Sequence, residues 1–473
     1  MTKSLTAEEY KSQANTSFKE QHFEKACELY SLAIELDPKN AILYSNRAMA
    51  NLKLELYGAA LSDADMAVQC DPKYVKAYYR RALANVGLQK FKESLKDFKI
   101  VCQVAPGDLE AKKRCETIEK IVKKMEFEKA IAVDEHHKII WDLINENDID
   151  VSPSYDGKIL EDEITVDFVL DMMERFKNQK LIPFKFAAQI LRRAREYFLN
   201  CPNMVNVVIP ENSKLSVCGD THGQFYDVLK LFEINGNPSP QNIYLFNGDF
   251  VDRGSFSFEV ILTFLSWKLA CPESIYLSRG NHETDSMNFN FGFKHEVEAK
   301  FNLNLFKMFS SVFEAMPIAN LIQDKILVVH GGIGDGNFCL EDINKVDRFK
   351  QPTDKDPLMT ALLWSDPQPE PGVGFGKRGA SYSFGPDVTH DFLKRNNLDF
   401  IIRSHEVKEE GYEIAHGGKC ITIFSAPNYC DTIGNKGAYI NFDSDLKMEI
   451  NQFTCAPHPN IKAMAYAPLN NFM

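Results

Sequence analysis

The sequence predicts a protein of two parts, an all-α solenoid at the N-terminus and an α/β domain over most of the remaining chain. Three observations lead to this prediction. The chain has 473 residues, more than a single domain usually contains. A 34-residue pattern occurs three times near the N-terminus, and such a period indicates stacked helical repeats. After about residue 165, helical patterns alternate with short apolar runs, as they do in α/β domains.

The composition is that of an ordinary globular protein. With 44% hydrophobic and 25% charged residues, the chain is neither disordered nor collagen-like. It has no apolar stretch near the roughly 18 residues that span a bilayer and no signal-peptide pattern, so we expect a soluble cytoplasmic or nuclear protein without a membrane partner. Eleven cysteines without a C-x-x-C pair favour a reducing compartment, no disulfides and no thiolate zinc site.

The two parts differ in charge. Residues 1–133 carry a net charge of +3 and residues 134–473 one of −15, which together make the −12 of the whole chain. An acidic C-terminal part repels nucleic-acid backbones, so we expect no nucleic-acid partner. A carboxylate-rich cleft can still hold cations and, through them, a phosphate.

The N-terminal repeats predict three helix-turn-helix units over residues 7–40, 41–74 and 75–108. A small residue at a fixed position lets two helices approach closely, an aromatic residue fills the space beside it, and a proline ends each unit. The positions that recur are Tyr10, Tyr44 and Tyr78; Ala14, Ala48 and Ala82; Phe23, Tyr57 and Phe91; Ala33, Ala67 and Val101; and Pro38, Pro72 and Pro106. The pattern resembles the tetratricopeptide repeat, and residues 109–133 predict a helix that caps its last apolar face.

The first helix of each repeat carries cationic and amide side chains four or seven residues apart, on one helix face. These residues are Lys11, Asn15, Asn46, Lys53, Lys76 and Arg80. A solvated basic face is the simpler interpretation of any one of these lysines. As a set they are similar to the carboxylate clamp of repeats that hold the Glu-Glu-Val-Asp terminus of heat shock protein 90, which implies that partner here.

The remaining boundaries follow from changes in composition. Residues 134–164 lose strong periodicity and gather Asn, Asp, Ser, Pro and Gly, which predicts a linker. We expect a catalytic domain over residues 165–460 and a C-terminal tail over residues 461–473.

Six short apolar runs each end abruptly in polar residues, and they predict strands that deliver side chains into loops. The runs are Lys214–Cys218, Ile243–Phe246, Ser274–Leu277, Ile326–Val329, Phe400–Ile402 and Cys420–Phe424. The polar residues that follow them include Asp220, His222, Asp249, Asn281, His330 and His405. This mixture of carboxylate, amide and imidazole suits manganese, iron, zinc or magnesium.

Six ligands exceed the usual protein share of one ion, so two divalent ions bridged by a carboxylate is the natural interpretation. Each residue alone has a simpler explanation, because an aspartate can cap a helix, an asparagine can form a turn and a histidine can lie in a core. Three long motifs follow three of the predicted strands, so it is improbable that all six residues have only these simpler roles.

The motifs Gly-Asp-Thr-His-Gly, Gly-Asp-Phe-Val-Asp-Arg-Gly and Arg-Gly-Asn-His-Glu begin at residues 219, 248 and 279. They resemble the signatures of the phosphoprotein phosphatase family of metallophosphoesterases, over about residues 165–455. The resemblance implies a β-sandwich flanked by helices, with both metals at one sandwich edge. It implies one metal on Asp220, His222 and Asp249, and a second on Asp249, Asn281, His330 and His405. The expected activity is hydrolysis of phosphoserine and phosphothreonine by a water that both metals activate.

The same resemblance implies the remaining catalytic roles. Arg253 and Arg378 would grip the phosphoryl oxygens. His282 would protonate the leaving oxygen, with Asp252 orienting its ring. Tyr429 would line the phosphate site. A surface ion pair is the simpler interpretation of an isolated arginine.

The family also implies autoinhibition by the repeats, relieved by a protein partner or a fatty acid, and we expect a monomer. Glu55 matches a family residue that meets the catalytic arginine, so we expect a Glu55–Arg253 lock; a plain exposed glutamate is the alternative. Residues 331–338 are shorter than the family's usual loop, and residues 468–473 barely resemble its inhibitory C-terminal helix. Two rival functions remain at this point, namely a non-enzymatic co-chaperone adaptor and a phosphatase for nucleotides, phosphodiesters or phosphotyrosine.

Overall fold

The structure, a computed structural model, describes residues 5–131, 138–353 and 355–467. Contacts divide them into two units, one formed by the N-terminal repeats together with Phe375–Ala380 and one formed by the rest of the chain. Among the described residues, no helix combines the length and apolarity that crossing a membrane requires. All eleven cysteines are described, and all are free thiols.

The N-terminal unit is a succession of helix pairs, each packed on the next. Its helices are α1 Ala7–Lys19, α2 Phe23–Leu36, α3 Ala41–Lys53, α4 Tyr57–Cys70, α5 Val75–Gly87, α6 Phe91–Val104 and α7 Leu109–Ile131. Ala14, Ala48 and Ala82 are completely buried, because only a small side chain lets paired helices approach so closely. Helix α7 covers most of the predicted capping helix, whose residues 132 and 133 lie outside the described part of the chain.

The turn between the two helices of each repeat places one residue in the left-handed backbone region. Gln21, Glu55 and Gln89 occupy equivalent positions, with φ of 65°, 61° and 60°. Such a conformation is uncommon for a residue other than glycine. Of the three residues in this conformation, Glu55 is acidic, whereas the other two repeats have an uncharged glutamine.

The second unit alternates helices and strands. Its helices are α8 Lys138–Leu143, α9 Val166–Lys177, α10 Phe184–Leu199, α11 Phe225–Asn235, α12 Ser257–Ala270, α13 Asp285–Phe291, α14 Phe293–Lys300, α15 Leu303–Ala315, α16 Leu340–Ile343, α17 Pro357–Trp364 and α18 Pro386–Asn396. Its strands are β1 Met204–Val207, β2 Lys214–Cys218, β3 Asn242–Phe246, β4 Ile275–Leu277, β5 Ala319–Ile322, β6 Ile326–Val329, β7 Asp366–Pro367, β8 Val373–Phe375, β9 Tyr382–Phe384, β10 Phe400–Arg403, β11 Tyr412–Ala415, β12 Cys420–Ile423, β13 Gly437–Phe442 and β14 Met448–Phe453.

Two large sheets form a sandwich, in the orders β1-β5-β6-β10-β12-β11 and β14-β13-β2-β3-β4. Alternate strand residues face opposite sides of a sheet. Leu215 and Val217 of one sheet thus share a core with Ile326 and Val328 of the other. The intervening residues of β2, β3 and β6 pack against helices on the outer faces. The predicted fold class, a helical-repeat solenoid followed by an α/β domain with a helix-flanked sandwich, is confirmed.

The strand directions place the predicted motifs at one edge of the sandwich. Strands β2, β3 and β4 run parallel to one another, as do β6, β10 and β12. The two sets run the same way, because Asp220 forms a parallel bridge with Phe424 just beyond β2 and β12. The loops after six strands therefore meet.

Part of the interval 134–164, which was predicted as a linker, packs on the second unit. Ile140, Ile144, Leu160 and Ile164 are buried in the core beside the helices, and the indole of Trp141 donates a hydrogen bond to a serine of α15. This part of the interval therefore contributes to a core, and the boundary of the linker stays a prediction. Its apolar residues are interrupted by Asn, Asp, Ser, Pro and Gly, so they give no sustained helical period. Residues 134–137 lie outside the described residues.

The predicted C-terminal tail also packs on the domain as far as it is described. Met464 and Ala467 are buried beside Met287 and Phe291. The sequence of residues 461–467 carries no periodic apolar pattern that would indicate this packing, and the boundary of the tail stays a prediction. Residues 468–473, where we noted little resemblance to an inhibitory helix, lie outside the described part.

Candidate active site

The six predicted metal ligands lie at the sandwich edge where the loops meet. Each follows a different parallel strand, except that the loop after β2 supplies two. All are buried, with at most 6% of their surface exposed: Asp220, His222, Asp249, Asn281, His330 and His405. These residues are distant in the sequence, and the order of the parallel strands brings the loops that carry them together.

Two imidazoles are oriented by backbone carbonyls. The Nδ1 atom of His222 hydrogen-bonds the carbonyl of Val251 at 3.0 Å, and that of His330 hydrogen-bonds the carbonyl of Asn247 at 2.8 Å. Their Nε2 atoms consequently point to the carboxylates. This arrangement is the usual support of a metal-binding histidine, since it fixes both the tautomer and the ring orientation.

Asp249 lies at the centre of the cluster. Its Oδ2 is 3.6 Å from His222 Nε2 and 3.2 Å from His330 Nε2. Potential ligand atoms of Asp249, His330 and His405 lie within 4.8 Å of one another, and Asn281 Oδ1 is 2.8 Å from His330 Nε2. Asp220 Oδ2 lies 3.6 Å from His222 Nε2.

The electrostatics of the cluster favour positive charge. Burial acts to raise the pKa of Asp249, but His330, His282 and His222 outweigh it and hold this pKa well below its usual range. Burial acts to lower the pKa of His330, whereas Asp249 and Asp220 raise it to about 9. The carboxylates thus attract a proton to an imidazole, and the same field attracts a metal cation.

The donor set fits divalent metal ions. It combines two carboxylates, one amide oxygen and three imidazoles, all buried, and its carbonyl-anchored histidines leave Nε2 for coordination. Oxygen and imidazole ligands of this kind suit manganese, iron, zinc or magnesium. The residues present therefore fit a site for divalent metal ions.

His282 and Asp252 form a buried pair beside the cluster. His282 Nδ1 is 2.8 Å from Asp252 Oδ2, and the backbone N–H of His282 donates to Asp249 Oδ1 at 2.8 Å. The other contacts of Asp252 hold it in place, because Asn288 Nδ2 donates to Oδ2 at 3.1 Å and the N–H of Phe293 donates to Oδ1 at 2.9 Å. The histidine is therefore anchored through one ring nitrogen.

Arg253 and Tyr429 also lie at this edge. Arg253 is 1% exposed, and its guanidinium carbon lies 3.9 Å from the ring centroid of Phe291. The Tyr429 ring packs 5.1 Å from the His222 ring, centroid to centroid. Arg378 is not part of the second unit, which contains the other predicted catalytic residues. It lies in Phe375–Ala380, which groups with the N-terminal unit.

The backbone at the site is strained. His222, Asp249, Asp252, Arg253 and His405 all have positive φ, between 39° and 71°. Non-glycine residues adopt such angles mainly where surrounding structure enforces them, often at functional sites.

Two glycines permit the loops to approach. A Cβ atom on Gly248 would lie 2.6 Å from the Cα of Gly280, and one on Gly280 would lie 2.4 Å from the backbone nitrogen of Asp249. Any side chain at either position would push apart the loops after β3 and β4.

Sequence reasoning missed several residues that organise the site. The carboxylate of Glu283 accepts hydrogen bonds from the N–H groups of Asp249, Phe250 and Gly280, each at 2.8 Å. Glu283 is the last residue of the motif that begins at residue 279, but the motif alone does not indicate this role. Asn288, which holds Asp252, lies inside a helix, where no sequence signal distinguishes it.

In the N-terminal unit, the predicted clamp residues fall on α1, α3 and α5. Asn15 Oδ1 accepts hydrogen bonds from Tyr30 at 2.6 Å and from Asn46 Nδ2 at 3.4 Å. Lys11 pairs with Glu8 on the same helix at 2.7 Å, and Lys76 is exposed one turn before Arg80.

Three cations of this unit repel one another. Burial lowers the pKa of Lys53, and Arg80 and Arg114 lower it further. Burial likewise lowers the pKa of Arg80, whose Nε is buried without a hydrogen-bond partner among the residues that the structure describes. Arg80 and Arg114 lie 5.5 and 5.7 Å from the Tyr79 ring centroid. Arg114 was missed from the sequence because it lies on α7, outside the repeats.

Comparisons with known proteins agree with both parts. The family model of calcineurin-like phosphoesterases matches residues 213–409, and that of the PPP5 TPR repeat region matches residues 115–206. A solved structure of a protein serine/threonine phosphatase from Saccharomyces cerevisiae, described as similar to human phosphatase PP5, is 44% identical with a TM-score of 0.60. That comparison covers 62% of this chain and 96% of the yeast chain.

Full-length relatives extend the agreement to nearly the whole chain. Serine/threonine-protein phosphatase 5 of Homo sapiens is 51% identical over 464 residues, which cover 98% of this chain and 93% of the human protein. Serine/threonine-protein phosphatase T of Schizosaccharomyces pombe is 53% identical over 462 residues, which cover 97% of each protein. The chain therefore belongs to the serine/threonine-protein phosphatase 5 family, and it is a metal-dependent protein serine/threonine phosphatase with N-terminal tetratricopeptide repeats.

Proposed function

We propose that the six clustered side chains hold two divalent cations that share Asp249, and that phosphoserine and phosphothreonine are hydrolysed there. The observation that carries this proposal is the convergence of loops from five parallel strands on one buried carboxylate. One cation is assigned to Asp220, His222 and Asp249. The other is assigned to Asp249, Asn281, His330 and His405.

The protein's own groups have separate tasks in the reaction. When bound, the two cations neutralise the phosphate dianion and acidify a water molecule. Arg253 holds phosphoryl oxygens through its guanidinium N–H groups, and Arg378 is proposed to join it. Asp252 engages His282 Nδ1, so Nε2 is the nitrogen that donates a proton to the leaving seryl or threonyl oxygen as the P–O bond breaks. The Tyr429 hydroxyl lines the phosphate site.

Metal content and phosphate release test this assignment together. The full chain is loaded with manganese and given matched phosphoserine, phosphothreonine and phosphotyrosine peptides. We expect about two metal ions per chain, release from the first two peptides and little from the third. Asp249→Asn should lose metal and release together, whereas the exposed control Asp162→Asn should lose neither. Undiminished metal content in Asp249→Asn would overturn the shared-ligand assignment.

For the repeats, we propose a carboxylate-binding groove for the acidic Met-Glu-Glu-Val-Asp terminus of heat shock protein 90. The support is physical: besides burial, Arg80 and Arg114 lower the pKa of Lys53, Arg114 also acts to lower that of Arg80, and Arg80 Nε is a buried donor without a described partner. A peptide carboxylate would relieve the repulsion and accept that hydrogen bond.

We further propose that the repeats inhibit the phosphatase through Glu55 and Arg253, and that the acidic peptide or a fatty acid relieves the inhibition. The support is the character of the position, where the left-handed turn carries an acid in the second repeat and glutamine in the other two. A carboxylate there can compete with phosphate for a guanidinium, which an amide does poorly.

A further inference from the structure

Residues 455–467, which we call the strap, follow β14 and lie along the loops after β3 and β12. The N–H of Ala456 donates to the buried carboxylate of Asp227 at 2.6 Å. His458 Nε2 lies 3.1 Å from Asp431 Oδ1. The strap is thus fastened at its start to α11 and to the loop that carries Tyr429.

The second half of the strap is fastened to the loop that carries Arg253. Ser255 Oγ donates to the carbonyl of Lys462 at 2.6 Å and accepts from the N–H of Ala465 at 3.3 Å. Between them, the N–H of Met464 donates to the carbonyl of Arg253 at 2.6 Å. The carbonyl of a strained residue is therefore satisfied by the strap.

Met464 also touches the Arg253 side chain. The guanidinium Nη1 lies 3.8 Å from the Met464 sulfur, and Phe291 lies against the guanidinium carbon at 3.9 Å. Met464 is 8% exposed and packs with Met287, Phe291 and Ala467. Its own φ is 56°, so the strap adopts a costly backbone conformation at the residue that makes this contact.

We propose that Met464 is a positioning residue for Arg253, which it holds, together with Phe291, in the orientation that binds the phosphoryl group. This inference rests on the phosphate-binding role proposed above for Arg253.

The chemistry of the two contacts suits that task. A long arginine side chain loses considerable freedom when it binds an anion, and earlier immobilisation reduces this loss. A carboxylate would immobilise it but would also occupy the N–H groups that phosphate needs. A thioether is only a weak hydrogen-bond acceptor, and an aromatic face leaves the positive charge intact. Met464 and Phe291 can therefore hold the guanidinium without competing with substrate.

Two substitutions separate the side chain from the backbone contact. Met464→Gly keeps the N–H that bonds Arg253 and tolerates a φ of 56°, but it removes the thioether. Met464→Leu keeps most of the volume and removes the sulfur. Both are made in full-length, manganese-loaded Glu55→Ala protein, so that the proposed lock does not contribute. Ala467→Gly, in the same cluster, is the matched control.

The measurements are KM and kcat for p-nitrophenyl phosphate, the inhibition constant of inorganic phosphate, metal content and the unfolding midpoint. For Met464→Gly we expect about a tenfold rise in KM and in the phosphate inhibition constant, with unchanged metal content. Met464→Leu should show a smaller rise in the same constants, and Ala467→Gly should show none.

A double mutant distinguishes positioning from general packing. In Arg253→Ala protein, Met464→Gly should weaken phosphate binding no further, because the group that it positions is absent. If the two losses multiply, or if Met464→Gly alone leaves phosphate binding unchanged, Met464 does not position Arg253. If Arg253→Ala itself leaves phosphate binding unchanged, the role proposed for Arg253 fails instead.

Discussion

His282 Nδ1 lies 2.8 Å from Asp252 Oδ2, and Asp252 is completely buried. In the proposed mechanism, this contact orients the imidazole for proton donation to the leaving oxygen. Asp252→Asn should therefore lower kcat on a phosphoserine peptide by about 100-fold with little change in KM. The loss should be much smaller on p-nitrophenyl phosphate, whose leaving group departs without a proton. Steady-state kinetics with both substrates measures the difference.

The exposed substitution Asp162→Asn serves as the matched control and should leave both rates unchanged. Equal losses on the two substrates would mean that Asp252 supports the fold or the metals rather than proton donation. Metal content, measured on the same samples, separates those two explanations.

The repeat groove predicts charge-dependent peptide binding. Arg80→Ala should weaken binding of a Met-Glu-Glu-Val-Asp peptide about tenfold, since a charge-assisted hydrogen bond is lost. Titration calorimetry at two salt concentrations checks this, and binding to the unaltered protein should weaken as salt rises. Lys73→Ala, which removes an exposed cation of the same repeat, should have little effect. Equal weakening by both substitutions would indicate a diffuse basic surface rather than a clamp.

The proposed lock predicts a gain of activity. Glu55→Ala should raise basal hydrolysis of p-nitrophenyl phosphate several-fold, because a group that competes for Arg253 is removed. Glu55→Gln should do nearly the same if charge is responsible. Gln21→Ala, at the equivalent position of the first repeat, is the control and should leave turnover unchanged. No rise in either Glu55 variant would exclude the lock.

The parts that the sequence predicted well share one physical basis. The period of 34 and the strand-terminal motifs are local patterns, so they identified the repeats, the strands and six ligand candidates whose side chains prove to be clustered. Contacts between distant segments leave no such pattern. Met464 touches Arg253 from 211 positions away, and Asn288 reaches Asp252 from inside an otherwise ordinary helix. Ile140 and Ile144 were missed because α8 is only 6 residues long, too short to establish a helical period.

Asp227, which fastens the strap, predicts a pH-dependent stability. Burial raises its pKa to about 6, although the Ala456 N–H, Gln224, His458 and Lys230 each act to lower it. The reference pKa of 3.8 represents the unfolded chain. The folded state therefore binds the proton more tightly, so this group's contribution is fully present below about pH 4, declines as pH rises through about 6 and is absent above that.

Asp227→Asn should remove this dependence, because an amide does not titrate in this range. The two pKa values differ by an amount worth roughly 3 kcal/mol, which corresponds to a shift of several degrees in the unfolding midpoint. About two-thirds of this amount is lost between pH 4.5 and pH 7.5, because the contribution already declines from about pH 4. We expect the fall in midpoint over this pH range to be smaller by that share in Asp227→Asn than in the unaltered protein, as measured by calorimetry. Asp162→Asn should retain the full dependence. If Asp227→Asn follows the same pH curve as the unaltered protein, then Asp227 is already ionised in the folded protein near pH 4.5, and burial does not control its proton.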